Sequence, residues 1–264
     1  MNENVRAWIE VAFRWTHVVA GVMWIGHLYF FNFVNGQVAK TYDGDSKKKV
    51  VPQLMPRALY WFRWGAAYTW ITGILLLGFV YYMQKAVLLP PESTLGVGAA
   101  TGIGLGILIV GFGIYDVMWK ALEKQETAGA AVSFALIVAV AFGLATQFTG
   151  RAVFIHVAAI LGTIMAANVW MRIWPAQRKI ISAIKAGTAP DGALVARAGL
   201  RSKHNTYMSV PLIFLMVSNH YPQLYGSDLA WAYVAAFVAV GWGVTKWLYG
   251  KSGSEAPTLF EPGA

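Results

Sequence analysis

Residues 14–31 read RWTHVVAGVMWIGHLYFF. With their flanks they belong to an apolar stretch over residues 8–34, long enough to cross about 30 Å of hydrocarbon as one helix. Six further stretches follow near residues 59–83, 96–118, 128–147, 152–174, 206–222 and 229–249, the sixth short and containing Pro211. The rest of the chain shares this character: hydrophobic residues fill 57% of 264 positions, charged residues only 12%, and mean hydropathy is +0.51. A soluble fold could not clothe its surface from so few charges. The sequence therefore predicts an all-α polytopic membrane bundle of about seven transmembrane helices, one domain over residues 1–250. The Gly-, Pro-, Ser- and Glu-containing tail, residues 251–264, is expected to be a flexible appendage.

The formal net charge of +9 would suggest nucleic acid only if the basic residues gathered on one folded face. They fall instead in alternate connections. Lys47, Lys48, Lys49, Lys120, Lys124, Arg178, Lys179, Lys185, Arg197, Arg201 and Lys203 lie on one side, against Arg6, Lys85 and Arg151 on the other. By the positive-inside rule the N-terminus is expected outside and the C-terminus in the cytoplasm, with no nucleic-acid partner. Residues 175–204 form the largest basic loop, in which PAQRKIISAIKAG is predicted as an amphipathic helix on the inner leaflet. The first residues lack a small-residue cleavage site, so the first apolar segment is expected to remain as a span. Gly98, Gly102 and Gly106 recur every four residues and predict a ridge for close helix packing.

Candidate chemistry lies with the five histidines, because ionisable groups inside apolar runs are costly unless they serve a function. There is no cysteine, so disulfides, iron–sulfur clusters and thioether-linked haem are excluded, and any haem must be held by His or Met. His17 and His156 lie at matched depth, roughly 6–8 Å below the outer boundary, and could clamp one haem iron from two sides. Gly21 and Trp24 share a face with His17 and would give a porphyrin room. The alternative is that each histidine hydrogen-bonds within the bundle. His27 lies about 15 Å deeper, turned by roughly 80°, and could share a second haem position with His204, which in RSKHN at the membrane edge is equally readable as a solvated residue. His220, beside Asn219 in SNHYP, could receive a polar molecule or a quinone headgroup, or could cap a helix. Arg14 can pair with Glu10, while Arg63 could reach the inner interface or neutralise haem propionates.

Four segments, RWTHVVAGVMWIGHLYFF (14–31), MPRALYWFRW (55–64), GTIMAANVWMRIWPAQRK (162–179) and RSKHNTYMSVPLIFLMVSNHYP (201–222), resemble the membrane domain of PuuD-type urate hydroxylases, the bacterial membrane-bound urate oxidases. The likeness covers nearly the whole chain. It implies a multi-pass protein of the bacterial inner membrane that converts urate to 5-hydroxyisourate. The first segment also resembles helices of small haem-binding membrane proteins, which implies one haem b, with a second at the inner position. Family members pass electrons to a fused cytochrome c domain, whereas this sequence has no C-x-x-C-H, so a separate cytochrome c or quinone is the expected acceptor. In that scheme His17 and His156 are metal ligands, His27, Gly21, Trp24 and Arg63 complete the cofactor pocket, and His220, Asn219 and Asn205 contact substrate. Two other classes stay open: a non-catalytic subunit of a larger membrane complex, and a small-solute transporter.

Overall fold

A computed structural model describes residues 2–254. Seven long helices account for most of them: α1 (Glu3–Val38), α2 (Gly44–Tyr82), α3 (Val97–Ala121), α4 (Glu126–Ala145), α5 (Gly150–Lys185), α6 (Gly192–Val217) and α7 (Ala230–Ser254). No strand occurs among the described residues. Side-chain oxygens satisfy the first amides at four starts, with Asn2, Asp43, Thr149 and Asp191 accepting from Asn4, Ser46, Ala152 and Ala193. Three helices widen into π turns at Phe30–Asn35, Leu77–Tyr82 and Val169–Ile173.

Five of the seven, α1 to α5, are long and apolar enough to cross a membrane. The other two sequence-predicted spans do form long helices but fall short by that measure. In α6 the apolar run begins only after Arg201, Lys203 and Asn205, and in α7 Trp, Tyr, Thr and Lys residues dilute the valines and alanines. Large apolar side chains stand on the outer surface, Ile109 at 75% exposure and Val22 at 69%, as lipid-facing helices require.

The centre of the bundle is α5, whose span is the most buried of the five and which packs against α2, α3, α4, α6 and α7. Helices α1 and α2 form the tightest pair. Gly65 permits it: a Cβ there would lie 3.1 Å from the Trp24 amide nitrogen and 3.2 Å from the Ala20 carbonyl oxygen. Gly241 of α7 plays the same part opposite Pro211 of α6, whose ring a Cβ would meet at 2.8 Å. Helices α3 and α4, though joined by only residues 122–125, scarcely touch each other.

Three expectations are corrected. Residues 175–204 are not a loop on the leaflet but a helical hairpin: α5 runs on to Lys185, the chain turns at Gly187 with φ of 75°, and α6 begins at Gly192. The apolar stripe Ala176, Ile180 and Ile184 is buried against Ala198, Val51 and Leu194, so protein covers it. The ridge of Gly98, Gly102 and Gly106 meets nothing within 4 Å, whereas Gly104 and Gly111 face the neighbouring helix α5. The expected tail begins at 251, but Lys251–Ser254 continue α7 and the remainder, 255–264, lies outside the described residues.

Replacing Gly65 by valine should force α1 from α2 and cost about 1–3 kcal/mol, seen as a lower thermal midpoint in detergent. Gly102→Ala should be neutral or slightly stabilising, since it adds helix propensity without a clash.

Candidate functional site

Asp116, in the last turns of α3, is the acid on which a buried ion cluster is built. Its carboxylate accepts both ends of the Arg172 guanidinium from α5, Nε at 2.8 Å and Nη2 at 2.6 Å. Lys120 Nζ lies at 2.8 Å and Arg201 Nη2, from α6, at 3.1 Å. Side-chain exposure is 7% for Asp116 and 3% for Arg201, so water screens this contact weakly. One carboxylate faces three cations, and the cluster carries a surplus of positive charge.

An uncharged network adjoins it. The Asn168 amide donates to the Tyr115 hydroxyl and to Asn205 Oδ1, both at 2.9 Å, and Asn205 Nδ2 donates to the Met165 carbonyl at 3.0 Å. The Tyr115 hydroxyl is 2.9 Å from His204 Nδ1, and the Arg201 guanidinium lies 4.9 Å from the Tyr115 ring centre. Local sequence explains the convergence. Asp116 and Lys120, Asn168 and Arg172, and Arg201 and Asn205 are each four residues apart, so every helix presents a polar pair on one face. Two buried atoms, Asn168 Oδ1 and Arg201 Nη1, have no hydrogen-bond partner in the structure.

Beside this network a cavity of about 620 Å³ opens between α3 and α4, with α5, α6 and α7 as its other walls. Its lining is apolar along Ile107, Val140 and Ile160, and polar at the end held by Tyr115, His204 and the Lys203–Glu126 pair. The Trp119 and His204 ring centres are 4.0 Å apart there.

The other sequence candidates are dispersed. On α1, His17 hydrogen-bonds Thr72 at 3.1 Å and packs on Gly73 of α2, whose added Cβ would lie 3.1 Å from its Cε1. Gly21 faces Thr69, and Trp24 is buried at the Gly65 contact with Nε1 unpartnered. His27 bonds the Met23 carbonyl one turn back, at 2.7 Å. Arg63 is boxed by aromatic rings, 4.2 Å from Trp174 and 5.2 Å from Trp170, and Arg14 pairs with Glu10 as expected. At the opposite end of the bundle from Asp116, the Arg151 and Tyr81 side chains both donate to Asn219 Oδ1, while His220 is exposed. Asn205 and Asn219 are separated by about 20 Å along α6, so they do not share a site.

A haem held between His17 and His156 does not fit this arrangement. His156 is fully buried; its Nδ1 contact with the Ala152 carbonyl, 2.7 Å, is one that a ligating imidazole also makes, but its Nε2, the nitrogen that would reach iron, is taken by the Tyr82 hydroxyl at 3.0 Å. Gly104 of α3 closes over it: a Cβ there would stand 2.7 Å from Nε2. His17 faces α2, with Thr72 and Gly73 against its ring. Sequence reasoning missed Tyr115, Asp116, Trp119 and Arg172 as site residues. The available signal was Asp116 itself, a lone carboxylate in the apolar run GFGIYDVMWK.

Seven packed helices with a buried ion cluster and a lipid-facing cleft define a helical membrane-type bundle with an internal polar site. The chain belongs to the family described as urate oxidase N-terminal, whose model matches residues 3–50 and 42–261. Neither a curated protein nor a solved structure matches it.

If His156 serves packing, His156→Ala should destabilise the protein by about 2–4 kcal/mol through a cavity and an orphaned tyrosine hydroxyl. Thermal unfolding with and without added haem should give the same loss.

Proposed function

We propose that the chain is the membrane-embedded part of a urate hydroxylase, seated in the bacterial cytoplasmic membrane with its N-terminus outside. The reaction takes urate and water to 5-hydroxyisourate, releasing two electrons and two protons to a separate acceptor, cytochrome c or quinone. Family membership supports the substrate class. The observation that carries the site is the buried meeting of Arg201, Asn168 and Asn205 behind Tyr115, apart from the cleft lining, where Asn168 Oδ1 and Arg201 Nη1 are left without partners. Urate is a planar anion whose edges alternate carbonyl oxygens and N–H groups. Surplus positive charge around Asp116 favours an anion, and the two buried atoms left without partners, Asn168 Oδ1 and Arg201 Nη1, offer one acceptor and one donor to such an edge. His204, hydrogen-bonded to Tyr115, is the group placed to give or take a proton.

One observation favours a second reading, a non-catalytic subunit of a larger membrane complex: among the described residues nothing lies within 4 Å of a Cβ placed on the ridge of Gly98, Gly102 and Gly106, which leaves room for a partner's helix. Membranes containing the full chain, supplied with either acceptor, should consume urate. In His204→Gln, with helical signal and thermal midpoint retained, the rate should fall at least about tenfold. Unchanged turnover in that variant would remove His204 from the reaction. No turnover in the native protein, together with stoichiometric co-purification of another membrane protein, would favour the subunit reading.

A further inference from the structure

We propose that the cleft between α3 and α4 is a binding site for an isoprenoid quinone, entered from the lipid and closed at its head by His204. The redox part of this inference rests on the urate reading, because that oxidation needs a two-electron acceptor; the binding site itself does not. A volume of about 620 Å³ falls in the range of small-molecule and cofactor sites. The opening is lateral: Val110 and Ile114 of α3 are 58% and 48% exposed at its rim, and α3 and α4 barely meet. An isoprenoid chain can therefore enter from hydrocarbon along Ile107, Val140 and Ile160 without crossing water.

The closed end is built for a neutral acceptor headgroup. Asn168 uses its two amide hydrogens on Tyr115 and Asn205, so the Tyr115 oxygen receives one bond and its own hydrogen is free to go to His204 Nδ1. That assignment puts the imidazole proton on Nε2, making His204 a donor on its remaining side. The indole of Trp119 lies against the same imidazole and offers an aromatic face to a planar ring. Lys203, the cation next to His204, pairs with Glu126 at 2.5 Å, while Lys246 of α7 lines the same cleft outside any ion pair among the described residues. A quinone carbonyl suits the neutral Nε2 donor of His204. The overall step balances: urate and water give up two electrons and two protons, and the quinone takes both to become quinol with 5-hydroxyisourate as the other product.

The test is titration of the purified full chain, in phosphatidylcholine nanodiscs and without urate, with a short-tailed quinone, read by tryptophan fluorescence. Native protein should show saturable quenching, most of which is removed when Trp119 and Trp242, the two tryptophans lining the cleft, are both changed to Phe. His204→Ala, which deletes the donor, and Ala130→Phe, which fills the cleft, should each weaken binding at least about tenfold, equivalent to about 1.4 kcal/mol. Non-saturable quenching shared by all variants would overturn the proposal, as would tightly held phospholipid that the quinone fails to displace. Saturable binding without urate turnover would reject the urate reading and leave the quinone site standing. Urate turnover on cytochrome c with only non-saturable quenching would reject the quinone site alone.

Discussion

Everything at the basic end of this bundle depends on one carboxylate removed from water. An isolated Asp116 in an apolar helix would be expensive to ionise, and Arg172 and Arg201 would each be expensive to bury without it. Together they satisfy one another across three helices. The bidentate Arg172 contact ties α5 to α3, and Arg201 ties α6 to the same carboxylate. Tyr115 adjoins Asp116 and His204 lies three residues beyond Arg201, so their 2.9 Å contact follows from the helix registers that the ions set.

That lock also accounts for the cleft. Helix α3 is held to α5 by the ions and by Gly104 and Gly111, while α4 is held by α7 and α5. Two consecutive helices drawn to different neighbours leave space between them, and the buried network walls off its polar end. Packing, electrostatics and the candidate site are thus consequences of the same few contacts.

Much of this was legible in the sequence, and the failures have definite causes. Long apolar runs announced all seven helices, because a chain in hydrocarbon must satisfy its own backbone. The stripe of Ala176, Ile180 and Ile184 was legible as amphipathic, but the pattern is the same whether lipid or protein covers it; the hairpin back to Ala198 decided the matter. Four-residue glycine spacing identified a ridge on α3, yet spacing cannot say which face turns inward, and Gly104 rather than Gly102 met α5. Equal depth of His17 and His156 was a one-dimensional argument. Facing is a property of helix rotation and neighbour order, and His17 turns toward Thr72 and Gly73 of α2 while His156 turns toward Tyr82 and Gly104. Asn205 was found through the RSKHN motif, whereas its link to Asn168 and Tyr115 required knowing that α3, α5 and α6 converge.

The most direct test of the lock is a double-mutant cycle on Asp116 and Arg172, measured as unfolding free energy in a fixed detergent. The account predicts that Asp116→Asn alone, which strands Arg172 and the buried Arg201, costs about 3–5 kcal/mol, that Arg172→Gln alone costs less because Arg201 and Lys120 still face the carboxylate, and that the double variant costs clearly less than the sum of the two. Losses that simply add, with a coupling below about 0.5 kcal/mol, would contradict it.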